Sequence, residues 1–127
     1  MTAADAVLVL VTETFFRDRI ETTLRAVGRE PVLVDLAAED MLETVLASGA
    51  LGLVIDLEDE ACDALSVLEA LLADERTASW HFVAFSAHED LDLMARGAAA
   101  GVEVVPRSTF AANLVRLMQS FQPPEVA

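Results

Sequence analysis

The stretch Leu51-Gly-Leu-Val-Ile-Asp56 constrains this chain more than any other. Its apolar residues run on without the polar alternation of a half-wetted strand, and Val54 and Ile55 are β-branched, so it reads as a strand buried on both faces. A single carboxylate, Asp56, closes the run, and the acidic loop Leu57-Glu-Asp-Glu60 follows it. Asp56 is therefore expected at the carboxyl end of a strand, where open α/β sheets place their ligands.

Residues 6–11 form a second continuous apolar run. After it, Phe16, Ile20, Leu24 and Val27 recur at helical spacing up to Gly28, which stops the helix. Residues 31–34 read as a short strand, and from Ala38 a helix carries Met41, Leu42, Val45 and Leu46 on one face, ending at Gly49. Beyond the central strand, Leu65, Leu68 and Leu72 make another stripe, and residues 80–85 a fourth strand. Ser86-Ala-His-Glu89 has the form of a capping box that opens a helix bearing Leu91, Met94 and Ala98 and ending at Gly101. Residues 102–105 read as a fifth strand, which Pro106 breaks. Ser108 is expected to cap a last helix with the stripe Phe110, Leu114, Leu117 and Phe121.

Five strands alternating with five helices predict a flavodoxin-like three-layer sandwich, a parallel sheet with helices on both faces. We expect the order 2-1-3-4-5, in which strands one and three meet at the topological switch point and Thr12, Glu13 and Asp56 surround one crevice. A single domain over residues 1–127 is expected, with its core in 6–121 and a frayed tail at 122–127.

Charge narrows the function. Twenty-two acidic residues stand against eight basic ones, a formal charge of −14, which disfavours direct binding to nucleic acid or to anionic membranes. All eight basic residues are arginine, so no chemistry that needs a lysine ammonium is available. Cys62 is alone and can form no internal disulfide, and with only His81 and His88 beside it no zinc site is expected. The amino end lacks a basic segment and an apolar run long enough for a signal peptide, so a cytoplasmic location is expected. No Gly-rich phosphate loop follows the first strand, and no serine stands in a nucleophile elbow.

With its elements in this order, the chain resembles the receiver (CheY-like) domain of two-component response regulators over residues 6–121. The resemblance identifies Asp56 with the family's phospho-acceptor. It matches Ser86, followed by Ala87, to the hydroxyl residue that contacts the phosphoryl group. It sets Arg107, one residue early, where the family has a lysine. The departures are equally specific. The acidic pair that holds Mg²⁺ after the first strand falls on Val11 and Thr12, with Glu13 just beyond, and the aromatic switch residue falls on Val104. The resemblance thus implies a degenerate receiver whose Mg²⁺ site is lost, with no cofactor, no enzymatic activity and a signalling protein as partner. A histidine kinase, an output protein or a second copy of the chain are the partners it implies. A rearranged metal site from Glu13, Asp56 and Glu58 is a remoter alternative, since acidic loops are usually just solvated. The resemblance also places Leu93, Arg96, Val104, Arg116 and Gln119 near the family's docking surface. Two other readings stand beside it: an atypical receiver still phosphorylated on Asp56 in a phosphorelay, and a flavodoxin-like module that binds a small ligand at the switch point.

Overall fold

The two continuous apolar runs become the two central strands. The computed structural model describes residues 5–59, 63–86 and 91–121, with Leu93 described by its backbone alone. Strands β1 (Ala6–Leu10) and β3 (Gly52–Asp56) are buried at every residue and pair in parallel, Leu10 opposite Ile55. Strand β2 (Glu30–Leu33) lies outside β1, while β4 (His81–Ser86) and β5 (Glu103–Pro106) continue the sheet beyond β3. The order is β2-β1-β3-β4-β5, and every pairing is parallel. This is the flavodoxin-like order expected from the sequence.

Because successive strand residues point to opposite faces, one set of strands feeds two cores. Leu8, Leu10, Leu53, Ile55 and Phe82 pack under α2 (Met41–Leu46) and α3 (Ala64–Ala73). Val7, Val9, Val54, Val83 and Phe85 pack under α1 (Thr14–Ala26), α5 (Arg107–Ala112) and α6 (Leu114–Gln119). Helix α4 (Leu91–Ala99) connects β4 to β5, with Met94 against the first core. Among the described residues, no helix is long and apolar enough to cross a membrane.

The glycine stops fall where expected, with Gly28, Gly49 and Gly101 all at positive φ just beyond α1, α2 and α4. Other boundaries differ from the sequence reading. Helix α2 begins at Met41 and not at Ala38, because Asp35 Oδ1 accepts from the Ala37 amide (3.0 Å) and holds the preceding residues in turns. Helix α3 buries Ala64, Val67, Leu68 and Leu71, and the expected stripe members Leu65 and Leu72 line a groove toward α4. Pro106 ends β5 in register with Ser86 and does not break it. It also precedes α5 as its cap residue, so Ser108 lies exposed inside the helix and caps nothing.

The expected last helix is two short ones. Asn113 Nδ2 donates to the Thr109 carbonyl (2.9 Å), and its backbone at φ −118° interrupts the helix between α5 and α6. The stripe survives the break, since Phe110, Leu114, Leu117 and Phe121 are all buried. Ser86 is a buried strand residue, and Ala87 to Glu89, which would complete its capping box, lie outside the described residues, as do Cys62, His88 and the tail 122–127.

Candidate functional site

Asp56 is the last residue of β3 and is 4% exposed, at the carboxyl edge of the sheet where the chain leaves β1 and β3 on opposite sides. Its loop is tied down on both sides. The Leu57 amide donates to the Phe85 carbonyl (2.9 Å), and the Glu58 amide donates to Asp56 Oδ1 (2.9 Å). Asp56 shares the parity of Val54, which directs it toward the layer of α1 and α5.

From that layer comes Arg107, the first residue of α5, whose Nη2 stands 3.7 Å from Asp56 Oδ2. The Arg107 guanidinium also lies over the Phe16 ring, 5.3 Å from its centroid, and Phe16 in turn rests against Phe85 and Phe110. Phe85 and Phe110 stack at 4.3 Å. An aromatic platform therefore aims one cation at the buried carboxylate. Arg107 Nε is buried and has no hydrogen-bond partner among the described residues.

Burial pushes the Asp56 carboxyl upward. The Glu58 amide and the Arg107 charge pull it down, Asp59 and Glu58 push it further up, and the balance lies above the ordinary carboxylate value. A cation at 3.7 Å with a partly exposed side chain does not fully offset desolvation.

The loops after β1 and β3 are stapled together. Thr12 donates to Asp59 Oδ2 through both its amide and its hydroxyl, each at 2.8 Å, and Asp59 is buried. The Glu13 carboxylate, expected to border the crevice, caps α1, accepting from the Phe16 amide (2.8 Å) and the Phe15 amide (3.3 Å). Val11 is buried in the apolar layer, and the exposed Glu58 contributes its backbone amide to the site. Glu60 lies outside the described residues.

The residues that stand where the family holds Mg²⁺ make a poor donor set for that ion. Val11 offers none, the Thr12 hydroxyl and the Glu13 carboxylate are taken up by internal hydrogen bonds, and Asp56 already faces a guanidinium. A small cation that demands near-octahedral oxygen ligation does not fit this set. Among the described residues, no group of three or more His, Cys, Asp or Glu side chains is placed to hold a metal, the proposed Glu13–Asp56–Glu58 combination included.

Ser86, the last residue of β4, is fully buried and stands opposite Pro106, one residue beyond the Asp56–Phe85 pair. Asp56, Ser86 and Arg107 thus come from the ends of three neighbouring elements. The expected docking surface is less coherent. Arg96 reaches Glu69 of α3 (3.4 Å) and Arg116 reaches Glu103 of β5 (3.6 Å), the arginine of each pair exposed. Val104 is 7% exposed and belongs to the core, so it is not a surface residue, because β5 turns that face under the α4 layer. Gln119 is exposed on α6, and the Leu93 side chain is not described.

Two site residues escaped the sequence reading of roles. Phe16 read only as a core stripe member, although an aromatic in the first turn of α1 opposite an arginine at the start of α5 is a stacking pair. Asp59 read only as part of an acidic loop, although a threonine beyond β1 gives it a donor.

No family model matches the sequence. Nor does any curated protein match it significantly. Solved structures do match in fold. A response regulator receiver domain from Rhodospirillum rubrum is 18% identical with a TM-score of 0.71, covering 95% of this chain and 98% of that one. The chemotaxis protein CheY4 of Vibrio cholerae is 14% identical with a TM-score of 0.76, over 94% of this chain and 100% of that one. The receiver domain of a sensor histidine kinase from Pseudomonas aeruginosa, with a magnesium ion coordinated in its active-site cleft, is 18% identical with a TM-score of 0.73, over 94% and 98%. At these identities the likeness is one of fold: the chain has the architecture of a CheY-like receiver domain.

Proposed function

We propose, from the receiver fold that this chain carries, that it is a degenerate receiver, a signalling domain that docks a protein partner without Mg²⁺-dependent phosphorylation. The observation that carries this reading is a pair of internal contacts: Arg107 faces Asp56 at 3.7 Å, and Thr12, at a position where the family has a carboxylate, is bound to Asp59. Catalysis of phosphoryl transfer to a carboxylate depends on neutralising and positioning charge. Arg107 is the sole cation reaching Asp56 among the described residues, and its acidic neighbours repel an incoming phosphoryl group. The domain accordingly acts as a non-enzymatic module, in the cytoplasm, with a histidine kinase or output protein as partner and its own copy as a further one.

A second reading has its own observation. Asp56, Ser86 and Arg107 converge at one edge of the sheet, the minimum that a phosphorylated aspartate would contact. Beryllofluoride with Mg²⁺, followed by NMR, separates the two. The degenerate receiver leaves the amide spectrum unchanged, whereas specific shifts at Thr12, Asp56, Ser86 and Arg107 would establish the phosphorylated form.

A further inference from the structure

The sheet edge far from β5 is incompletely covered. The turns before α2 delay that helix to Met41, and it ends at Leu46, so it shields only part of the β2 face. An open groove of about 430 Å³ remains, floored by Leu8, Val32, Met41 and Val45, with Leu33 at its side 49% exposed. The segment that forms it carries one sign of charge. Between Glu30 and Ser48 the chain has Glu30, Asp35, Glu39, Asp40 and Glu43, all exposed, and no basic residue. Arg76 reaches in from the end of α3 to pair with Glu43 at 3.0 Å.

An apolar floor inside an acidic rim selects its occupant by charge. Against this acidic rim a second copy of this chain, at −14, offers too little positive charge to be the favoured occupant, and an anionic lipid surface is repelled. We infer that the β2–α2 groove docks a basic amphipathic helix of a partner protein, its apolar ridge in the groove and its lysines or arginines against the rim. This surface shares no residue with the Asp56 crevice, so it stands or falls independently of how that crevice is used.

The test uses the full chain, ¹⁵N-labelled, and a helical peptide of about 18 residues with a leucine ridge flanked by lysines. Saturable shifts at the amides of Leu33, Val34, Thr44 and Ala47 are expected. A peptide with the same ridge flanked by glutamates should not bind. Glu39→Lys with Asp40→Lys touches no side-chain hydrogen bond of the described residues, and it should weaken the lysine peptide at least about tenfold. Ala47→Trp, which fills the groove from just beyond α2, should do the same, with thermal melts establishing that both variants fold. Absence of binding, shifts centred elsewhere, equal binding of the two peptides, or undiminished binding to folded variants would overturn the inference.

Discussion

At the scale of single residues, the crevice is a balance that burial wins. Asp56 is held by one amide and one partly exposed guanidinium, and its carboxyl still lies above the ordinary value because desolvation outweighs both. A raised carboxyl favours the neutral form on folding. Its stabilising effect is fully present below the unfolded value near 3.8 and is lost as pH rises through the folded value. Asp56→Asn keeps an acceptor for the Glu58 amide and removes the charge. We expect it to raise stability at neutral pH by about 1 kcal/mol, a few degrees in Tm. The gain should shrink on acidification, as the native carboxyl becomes neutral too. A fall in Tm at pH 7 would mean that the Arg107 pair outweighs burial.

Asp56 was legible in the sequence because a lone carboxylate after an uninterrupted apolar run can only sit at a strand end. The capping role of Glu13 was not legible, because sequence proximity to the switch point does not show that a helix N-terminus begins one residue away and takes up the carboxylate. The Thr12–Asp59 staple joins residues 47 apart and has no local signature.

At the scale of elements, strand periodicity and glycine stops located most of the fold, and the errors lie where side chains compete with the backbone. Asp35 delays α2, and Asn113 divides the last helix, each through a hydrogen bond that hydrophobic spacing does not register. One inter-element contact carries its own pH dependence. His81 opens β4 with Nε2 2.8 Å from Ser120 Oγ at the end of α6 and its ring edge-on to Phe121. The Ser120 hydroxyl donates to the Leu117 carbonyl, so it accepts from a protonated Nε2 of the neutral ring.

Burial lowers the His81 pKa, and Glu103 offsets this only in part. The unfolded chain therefore takes up a proton that the native ring resists. This contribution to stability is complete above the unfolded value near 6.5 and is lost as pH falls through the depressed folded value. His81→Gln should flatten the loss of Tm between about pH 7 and 5, measured against the Asp56→Asn background to remove the opposing carboxyl. An unchanged slope would exclude His81 as its source.

At the scale of the whole molecule, charge is unevenly laid out. Four of the eight arginines lie between Arg17 and Arg29, on α1 and just beyond it, whereas from Glu30 to Ser48 the chain carries only acidic charges. Arg96 and Arg116 are exposed and engaged in ion pairs worth little in water, so reversing them leaves the fold intact. If they anchor a partner or a second copy, Arg96→Glu with Arg116→Glu should abolish self-association in sedimentation or partner capture in a pull-down, with Tm within a few degrees of the parent. Unchanged association would remove that surface from consideration.

In the degenerate receiver proposed above, internal contacts stand where a receiver would hold its metal. Titration of the ¹⁵N-labelled chain with Mg²⁺ to millimolar concentration tests it directly. The account predicts no saturable shift at Thr12, Glu13 or Asp56, because Val11 and Thr12 supply no carboxylate and Asp56 faces Arg107. Saturable shifts confined to those three amides, and abolished by Asp56→Asn, would contradict it.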